Sequence, residues 1–509
     1  MDIARRPLLA AALGLVAAPA AAQQAQPISM PLVPPADLGP AALVRLLERL
    51  RRLDEDGLDP AQYGIPPVET ASTDPALYRA ALHRAGQLAL TDLLLGRVRD
   101  LPGRVDLRRD AAAVGAERWM AEFSTASDPA SVLDRAALLP PDAAALKAAL
   151  ARQKALLRTA RVAPIPGEST IEPGSVDAVR IPALRARLAA EDAILAAAPD
   201  GGARYDPPLE AAVRRWQQSN GLEVDGRVGR ISLGLLNRPL SARADQLRVA
   251  LDMRRARAAE GSDRRIEVNV PDFRLSVTEE GRELLAMAVI VGRPDRATPM
   301  LRVRMTAIQF NPPWGVPERN AREDLLPRFR RDPQGMMERG FRVFSFVGGE
   351  RVEIDPRTID WSTVNRDRFP YFIRQDAGDS NALGRIKFIM PNGDDIFMHD
   401  TPDRHLFRRP DRAFSSGCIR LERPNELMAL LLEGMAGWDV ARAQRAIDAR
   451  TTSAVMLRRA LPVRLHYTTV MVEGGAVRIR PDIYSLDAAY ARAMAAPARQ
   501  QVAALRGNA

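Results

Sequence analysis

Apolar positions along the chain change their period several times, and each change predicts a different kind of structure. Between residues 41 and 162 the spacing is helical. In AALVRLLERLRRL, Leu43, Leu46, Leu47 and Leu50 recur three and four residues apart, which places them on one helix face, and ALYRAALHRAGQLALTDLLLGRV continues the pattern. This predicts a bundle of helices packed on their apolar stripes. Residues 163–175, APIPGESTIEPGS, concentrate Pro, Gly and Ser and predict a linker. Residues 176–240 then predict a small helical unit around LEAAVRRWQQSNGLEVDGRVGRISLGLLN. Trp216 shares a helix with Leu209 and Val213, Asn220-Gly221 suits a helix stop, and Asp225-Gly226 suits a turn before another short helix.

From about residue 264 the period becomes that of strands, in RIEVNV, DFRLSVTEEGRELLAMAVIVG and VRMTAIQF, with Glu280-Gly281 at a hairpin turn. A mainly-β domain over 264–485 follows, interrupted at about 318–380 by helix-like EDLLPRF and then by Pro, Arg and aromatic residues without clear period. An insertion of this kind beside a site predicts a lid. Strands resume at GRIKFIMP and IFMHD, a helix is expected near ELMALLLEGM, and 486–509 reads as a C-terminal helix and tail. The fold class is therefore multidomain α+β: a helical N-terminal scaffold, a small three-helix module and a mainly-β domain with an insertion.

Composition bears on where such a chain works. At 509 residues it is long enough for several domains, and 46% hydrophobic with 27% charged residues is ordinary for a globular chain. The first 22 residues place Arg5 and Arg6 before a short apolar run ending in small residues, with Ala20 and Ala22 spaced like a cleavage site. They read as an export signal, which places the protein in the periplasm, and 23–40 reads as an unstructured lead-in. An uncleaved segment would instead anchor the chain at a membrane, although the run is shorter than the roughly 20 residues of a spanning helix. The formal charge of +10 is carried by arginine apart from Lys147, Lys154 and Lys387. It does not imply nucleic acid, since an arginine-rich exported surface suits the carboxylates of an acidic polymer equally well.

Export gives the lone Cys418 its interest, because one thiol cannot form a stabilising pair. By itself it could be a small buried apolar residue. Its neighbourhood, IFMHDTPDRHLFRRPDRAFSSGCIRLERP, changes that reading. Ile396 to Met398 deliver His399 to a strand end, and Ser415-Ser416-Gly417 make a small-residue turn just before Cys418. A free thiol, with a pKa of about 8.5, needs a base in order to attack, and an imidazole in reach takes the proton and returns it to a leaving amine. The small turn leaves backbone N–H groups of Ser416, Gly417 and Cys418 to converge on an oxyanion. A zinc site built from His399, Asp400, His405 and Cys418 is the rival, but the run lacks compact paired ligand spacing. His83, His405 and His466 read as surface or packing residues.

At these residues the sequence resembles the L,D-transpeptidase catalytic domain of the YkuD type. That motif is a His, about fifteen residues, then Ser/Thr-His-Gly-Cys, an aliphatic residue and Arg or Asn. Here His399 is followed by residues 400–414, and Ser415, Gly417, Cys418, Ile419 and Arg420 fall in register. The resemblance implies Cys418 as nucleophile, His399 as base, the backbone carbonyl beside His399 at Asp400 as orienter, and Arg420 as binder or buttress. Ser415 and, in FNPPWGVP, Trp314 are further candidates for contact with substrate, Trp314 being equally compatible with a core position. Ser416 departs from the pattern, standing where the family usually has a second His.

The segment 176–240 is similar to the three-helix peptidoglycan-binding module. NVPDFRLSV, VIVGRPDRATP, IDWSTV, NALGRIKF and DIYSLD extend the likeness to the large YcbB-like branch over nearly the whole mature chain. LDMRRARA, starting at Leu251, departs from that branch and leaves the contact between domains open. The resemblance implies an enzyme without cofactor or metal, acting on peptidoglycan stem peptides and glycan strands, with other cell-wall enzymes as partners. It implies release of D-alanine from a tetrapeptide donor and a 3-3 cross-link, with L,D-carboxypeptidase action or lipoprotein anchoring if water or a lipoprotein lysine is the acceptor, and carbapenem acylation of Cys418. The opposing expectation is a wall-binding scaffold without turnover.

Overall fold

A computed structural model describes residues 38–496 except 100, 161, 258 and 259. The expected export signal and nearly all of the lead-in, and the last residues of the tail, lie outside the described residues. No described helix is long and apolar enough to cross a membrane.

The N-terminal apolar stripes do form helices, chief among them Pro40–Arg51, Pro75–Leu95, Ala116–Thr125 and Pro129–Ala137, with a core around Leu46, Leu50, Leu82, Leu90, Phe123 and Leu133. Asp74 caps the second of these by accepting from Leu77 N–H at 2.9 Å, and Pro75 occupies the first turn, where a missing N–H costs nothing. This unit does not end at 162. Helix Leu240–Arg254 packs its Leu247 and Leu251 against Leu146 and Leu150 of helix Ala143–Thr159, and helix Leu486–Ala495 returns from the far end of the chain.

Asp252 joins these parts. Fully buried, it accepts from Arg97 N–H at 2.6 Å, Val98 N–H at 3.1 Å, the Tyr490 hydroxyl at 2.7 Å and Arg255 at 3.1 Å. Arg255, also buried, donates to the Asp56 carbonyl at 2.6 Å. A buried carboxylate is tolerable only with such complete pairing. Residues 251–257 are thus where the helical unit, the helix before the β domain and the C-terminal helix meet.

The stretch expected to be a linker is part of the module instead. Ile165 and Ile171 are buried in the core formed by Leu184, Leu209, Val213 and Trp216, and Ile171 bridges to Val228. Pro and Gly break helical periodicity there without freeing the chain.

In the β domain, strands β1 (Arg265–Asn269), β2 (Arg274–Glu279), β3 (Arg282–Gly292) and β4 (Leu301–Phe310) precede the insertion. Strands β9 (Ile386–Ile389), β10 (Met398–His399), β11 (Ala413–Ser415), β12 (Ile419–Leu421) and β13 (Ser453–His466) follow it. They form one nine-stranded sheet in the order β11-β3-β12-β10-β9-β4-β13-β1-β2, and the additional pairing of β2 with β3 closes it on itself. Val268, Leu275, Val289, Ile308, Phe388, Met398 and Ile419 point inward to a shared core.

The insertion is better ordered than its sequence suggests. Strands β5 (Trp314–Gly315), β6 (Phe341–Val347), β7 (Glu350–Ile354) and β8 (Phe372–Gln375) make a separate four-stranded sheet in the order β5-β8-β6-β7. Its own aromatic core stacks Phe329 on Trp361 at 4.4 Å between ring centroids.

Candidate active site

Register places the two reactive side chains on one face. Strands β10 and β12 are parallel, with Met398 opposite Ile419 and His399 opposite Arg420. Met398 and Ile419 point into the core, so alternation sends His399, Arg420 and, one step back, Phe397 and Cys418 to the outer face. Cys418 and His399 are then diagonal neighbours, roughly 7–8 Å apart at the backbone. Lys387 of β9 lies opposite His399 and joins the same face, its ammonium 3.8 Å from the Phe397 ring centroid.

His399 is 4% exposed, and its Nδ1 lies 2.5 Å from the Asp400 carbonyl oxygen. That contact makes Nδ1 the protonated nitrogen and leaves Nε2 as the basic one. Burial pulls the imidazole down to about 3, Arg420 and Lys387 push the same way, and the carbonyls of Asp400 and Leu383 oppose them. The ring is therefore neutral at physiological pH. The partly buried Cys418 is pushed up by burial and drawn down by the Phe397 backbone, Lys387 and Arg420. The resting pair is thus a neutral thiol and a neutral imidazole. Among the described residues the two share no hydrogen bond, and Cys418 Sγ faces the Asp395 carbonyl at 3.9 Å. Proton transfer then requires the thiol to swing toward the ring, and the two cations favour the thiolate once it forms.

The turn before Cys418 is held by hydroxyls. Ser415, 3% exposed, donates to the Cys418 carbonyl at 2.6 Å and accepts from Gly417 N–H at 3.1 Å. Ser415 thus braces the turn, and Gly417 N–H is occupied by its hydroxyl. Gly417 has φ +119°, a conformation that L side chains avoid, so this position needs glycine. Thr298 secures it from the side, its hydroxyl donating to the Gly417 carbonyl at 2.7 Å.

Ser416 reaches the insertion. Its Oγ accepts from Arg296 at 2.8 Å and from Asn320 Nδ2 at 3.1 Å. Arg296 is 6% exposed and also pairs with Asp324 at 2.6 Å and with Glu323. Both carboxylates lie on a π-helical turn, Ala321–Leu325, of a kind that often marks functional positions. The residue standing in place of a second His therefore ties the catalytic turn to the insertion.

Other expected residues fall as follows. Arg420 is a buttress, donating to Asp403 at 3.0 Å. Trp314 packs edge-on to Phe341 against the insertion core and is partly buried. His405 is exposed on a short turn, His83 packs on Phe123, and His466 lies beside Thr468. Among the described residues no three His, Cys, Asp or Glu side chains gather to hold a metal ion. Lys387 and Arg296 were not singled out from sequence; alternation from His399 through β9 could have found the first, while nothing local points to the second.

Residues 263–440 match the family model described as "L,D-transpeptidase catalytic domain", and residues 180–236 match "Putative peptidoglycan binding domain". A Haemophilus influenzae protein named "Putative L,D-transpeptidase" is 38% identical over 240 residues, covering 47% of this chain and 48% of that protein. The chain thus spans about half the length of this curated relative. Solved L,D-transpeptidases from Xylanimonas cellulosilytica and Stackebrandtia nassauensis align with 13% and 12% identity over 59% of this chain and 98% and 97% of theirs, at TM-scores of 0.19 and 0.20, values too low to add to the description of the fold. Residues 263–440 of the chain thus match the L,D-transpeptidase catalytic domain of the YkuD type, and residues 180–236 match a peptidoglycan-binding domain.

Proposed function

We propose that the chain is a periplasmic cysteine L,D-transpeptidase that cross-links peptidoglycan stem peptides. The observation that carries the reading is Cys418 at a strand end on the same sheet face as His399, whose Nδ1 is fixed by a carbonyl so that Nε2 is free to act as base. Cys418 Sγ attacks the carbonyl after the diamino acid of a tetrapeptide donor as Nε2 takes the thiol proton. The N–H groups of Ser416 and Cys418 hold the oxyanion. Collapse breaks the peptide bond, the departing D-alanine amine takes the proton back from His399, and a thioester remains on Cys418. The side-chain amine of a second stem attacks this thioester, gives its proton to His399 and restores the thiol, leaving a 3-3 cross-link. Peptide-bond energy is exchanged, and no nucleotide is consumed.

Incubation of purified protein with tetrapeptide muropeptides tests this directly. D-alanine release, a thioester adduct on Cys418 by mass spectrometry and a cross-linked product are expected, and all three should vanish in Cys418→Ala. Release of D-alanine without a cross-link identifies an L,D-carboxypeptidase. Binding of muropeptides with neither adduct nor release makes the chain a wall-binding scaffold.

A further inference from the structure

Between the module and the β domain lies a cleft of about 370 Å³ that takes no part in the chemistry above. One wall is the module's helix Arg230–Leu236 and the helix stop at Gly221; the other is built from Asp272-Phe273, Arg412-Ala413 and Arg480. Four guanidinium groups face it. Arg480 is neutralised by Asp272 at 2.7 Å and packs so closely on Gly221 that a β-carbon there would lie 2.0 Å from its Nη1. The other three are different. Arg412 donates only to the backbone carbonyls of Arg409 and Phe273, at 2.8 and 3.4 Å, and its buried Nε has no acceptor. Among the described residues Arg230, Arg238 and Arg412 have no carboxylate in an ion pair. Asp411, the other acid in the cleft, accepts from Ala413 N–H.

Unpaired, fork-shaped cations on both walls suit carboxylates, which guanidinium groups hold bidentately, while the apolar surface of Ile231, Leu222 and Phe273 suits short peptide side chains. Location adds to this. Arg412 lies six residues before Cys418 in the segment that runs through β11, which puts it within roughly 20 Å of the thiol at about 3.3 Å per residue. A stem of four to five residues in extended form spans about the same length.

We propose that this cleft is a second substrate site, holding the carboxylates of a peptidoglycan stem peptide between module and catalytic domain. The identity of the ligand rests on the transpeptidase reading; the anion preference rests on the arginines alone. The test uses full-length protein carrying Cys418→Ala, titrated with a fluorescent tetrapeptide stem, with the same peptide bearing its carboxylates as methylamides, and with a neutral chitin oligosaccharide. Affinity for the acidic stem should fall at least tenfold in Arg230→Ala/Arg412→Ala, and the amidated peptide should bind at least tenfold more weakly to the unsubstituted cleft. Arg230→Glu, a change at an exposed position, should reproduce most of the loss without affecting folding. Equal affinity for acidic and amidated peptides, tight binding of the neutral glycan in place of the stem, or binding untouched by these substitutions would each overturn the proposal. D-alanine release by the protein with its thiol intact is measured separately, so failure of the cleft and failure of the transpeptidase reading give different results.

Discussion

Removing one oxygen, in Ser416→Ala, isolates the tie between the catalytic turn and the insertion. The Ser416 hydroxyl accepts from the Arg296 guanidinium at 2.8 Å and from the Asn320 amide at 3.1 Å. A hydrogen bond from a charged donor contributes about 1.5–3 kcal/mol and a neutral one about 0.5–1.5. Because Ser416 is exposed, water replaces part of each bond, and the low ends of both ranges apply, giving about 2 kcal/mol together. That is roughly a 30-fold change in the balance between a turn held against the insertion and one released from it. Single-turnover D-alanine release should therefore slow by about 10- to 30-fold, since the Ser416 and Cys418 N–H groups lose their fixed aim. Ser416→Thr, which keeps the hydroxyl, should retain most of the rate. The unfolding temperature of the β domain should fall by no more than about 4–8 °C, the shift that about 2 kcal/mol gives in a domain of roughly 200 residues. A double-mutant cycle with Asn320→Ala completes the test, because tied residues give less than additive losses. Wild-type rates in Ser416→Ala, or strict additivity with Asn320→Ala, would refute the coupling.

Lys387 faces Cys418 on the same sheet surface, so Lys387→Met should raise the pH midpoint for alkylation of the thiol by iodoacetamide, and Lys387→Arg should restore it; an unmoved midpoint would remove the lysine from any part in thiolate formation. Asp487 predicts a pH effect on stability. Burial and the neighbouring Asp482 carboxylate push it up to about 7, against hydrogen bonds from Thr469 and Gln246. The folded state therefore keeps a proton that the unfolded state has lost between about pH 4 and 7, so this contribution is full below pH 4 and disappears as pH rises through 7. Its upper bound is about 4 kcal/mol. Asp487→Asn should flatten the fall in unfolding temperature between pH 5 and 8, and an unchanged pH slope would refute the assignment.

What the sequence discloses depends on how local the physics is. His399 and Cys418 are legible because one short stretch carries both strand ends and the small turn between them. The helical stripe around Leu43 and Leu50 is legible for the same reason, since amphipathic spacing is a property of neighbours in the chain. Partnership is different. Nothing in residues 240–254 shows that Leu251 packs on Leu150, or that Asp252 accepts from backbone groups more than 150 positions away. The Pro- and Gly-rich run at 163–175 loses its period yet still buries Ile165 and Ile171, so loss of period does not mean exposure. In the insertion, the alternation in FRVFSFV is short and flanked by arginines, and only pairing with β7 and β8 makes it a strand. The bond from Arg296 to Ser416 spans 120 positions and leaves no trace in either neighbourhood.

The return of helix Leu486–Ala495 to the N-terminal bundle means that the β domain leaves the helical body by one connection and comes back to it by another, with Asp252 and Tyr490 clasped where the two meet. A body hung from one strand of chain can swivel freely. Hung from two, it can only rock about the line joining its attachments. The module and the catalytic face should therefore keep a nearly constant separation, and removing helix Leu486–Ala495 would turn that rocking into free rotation.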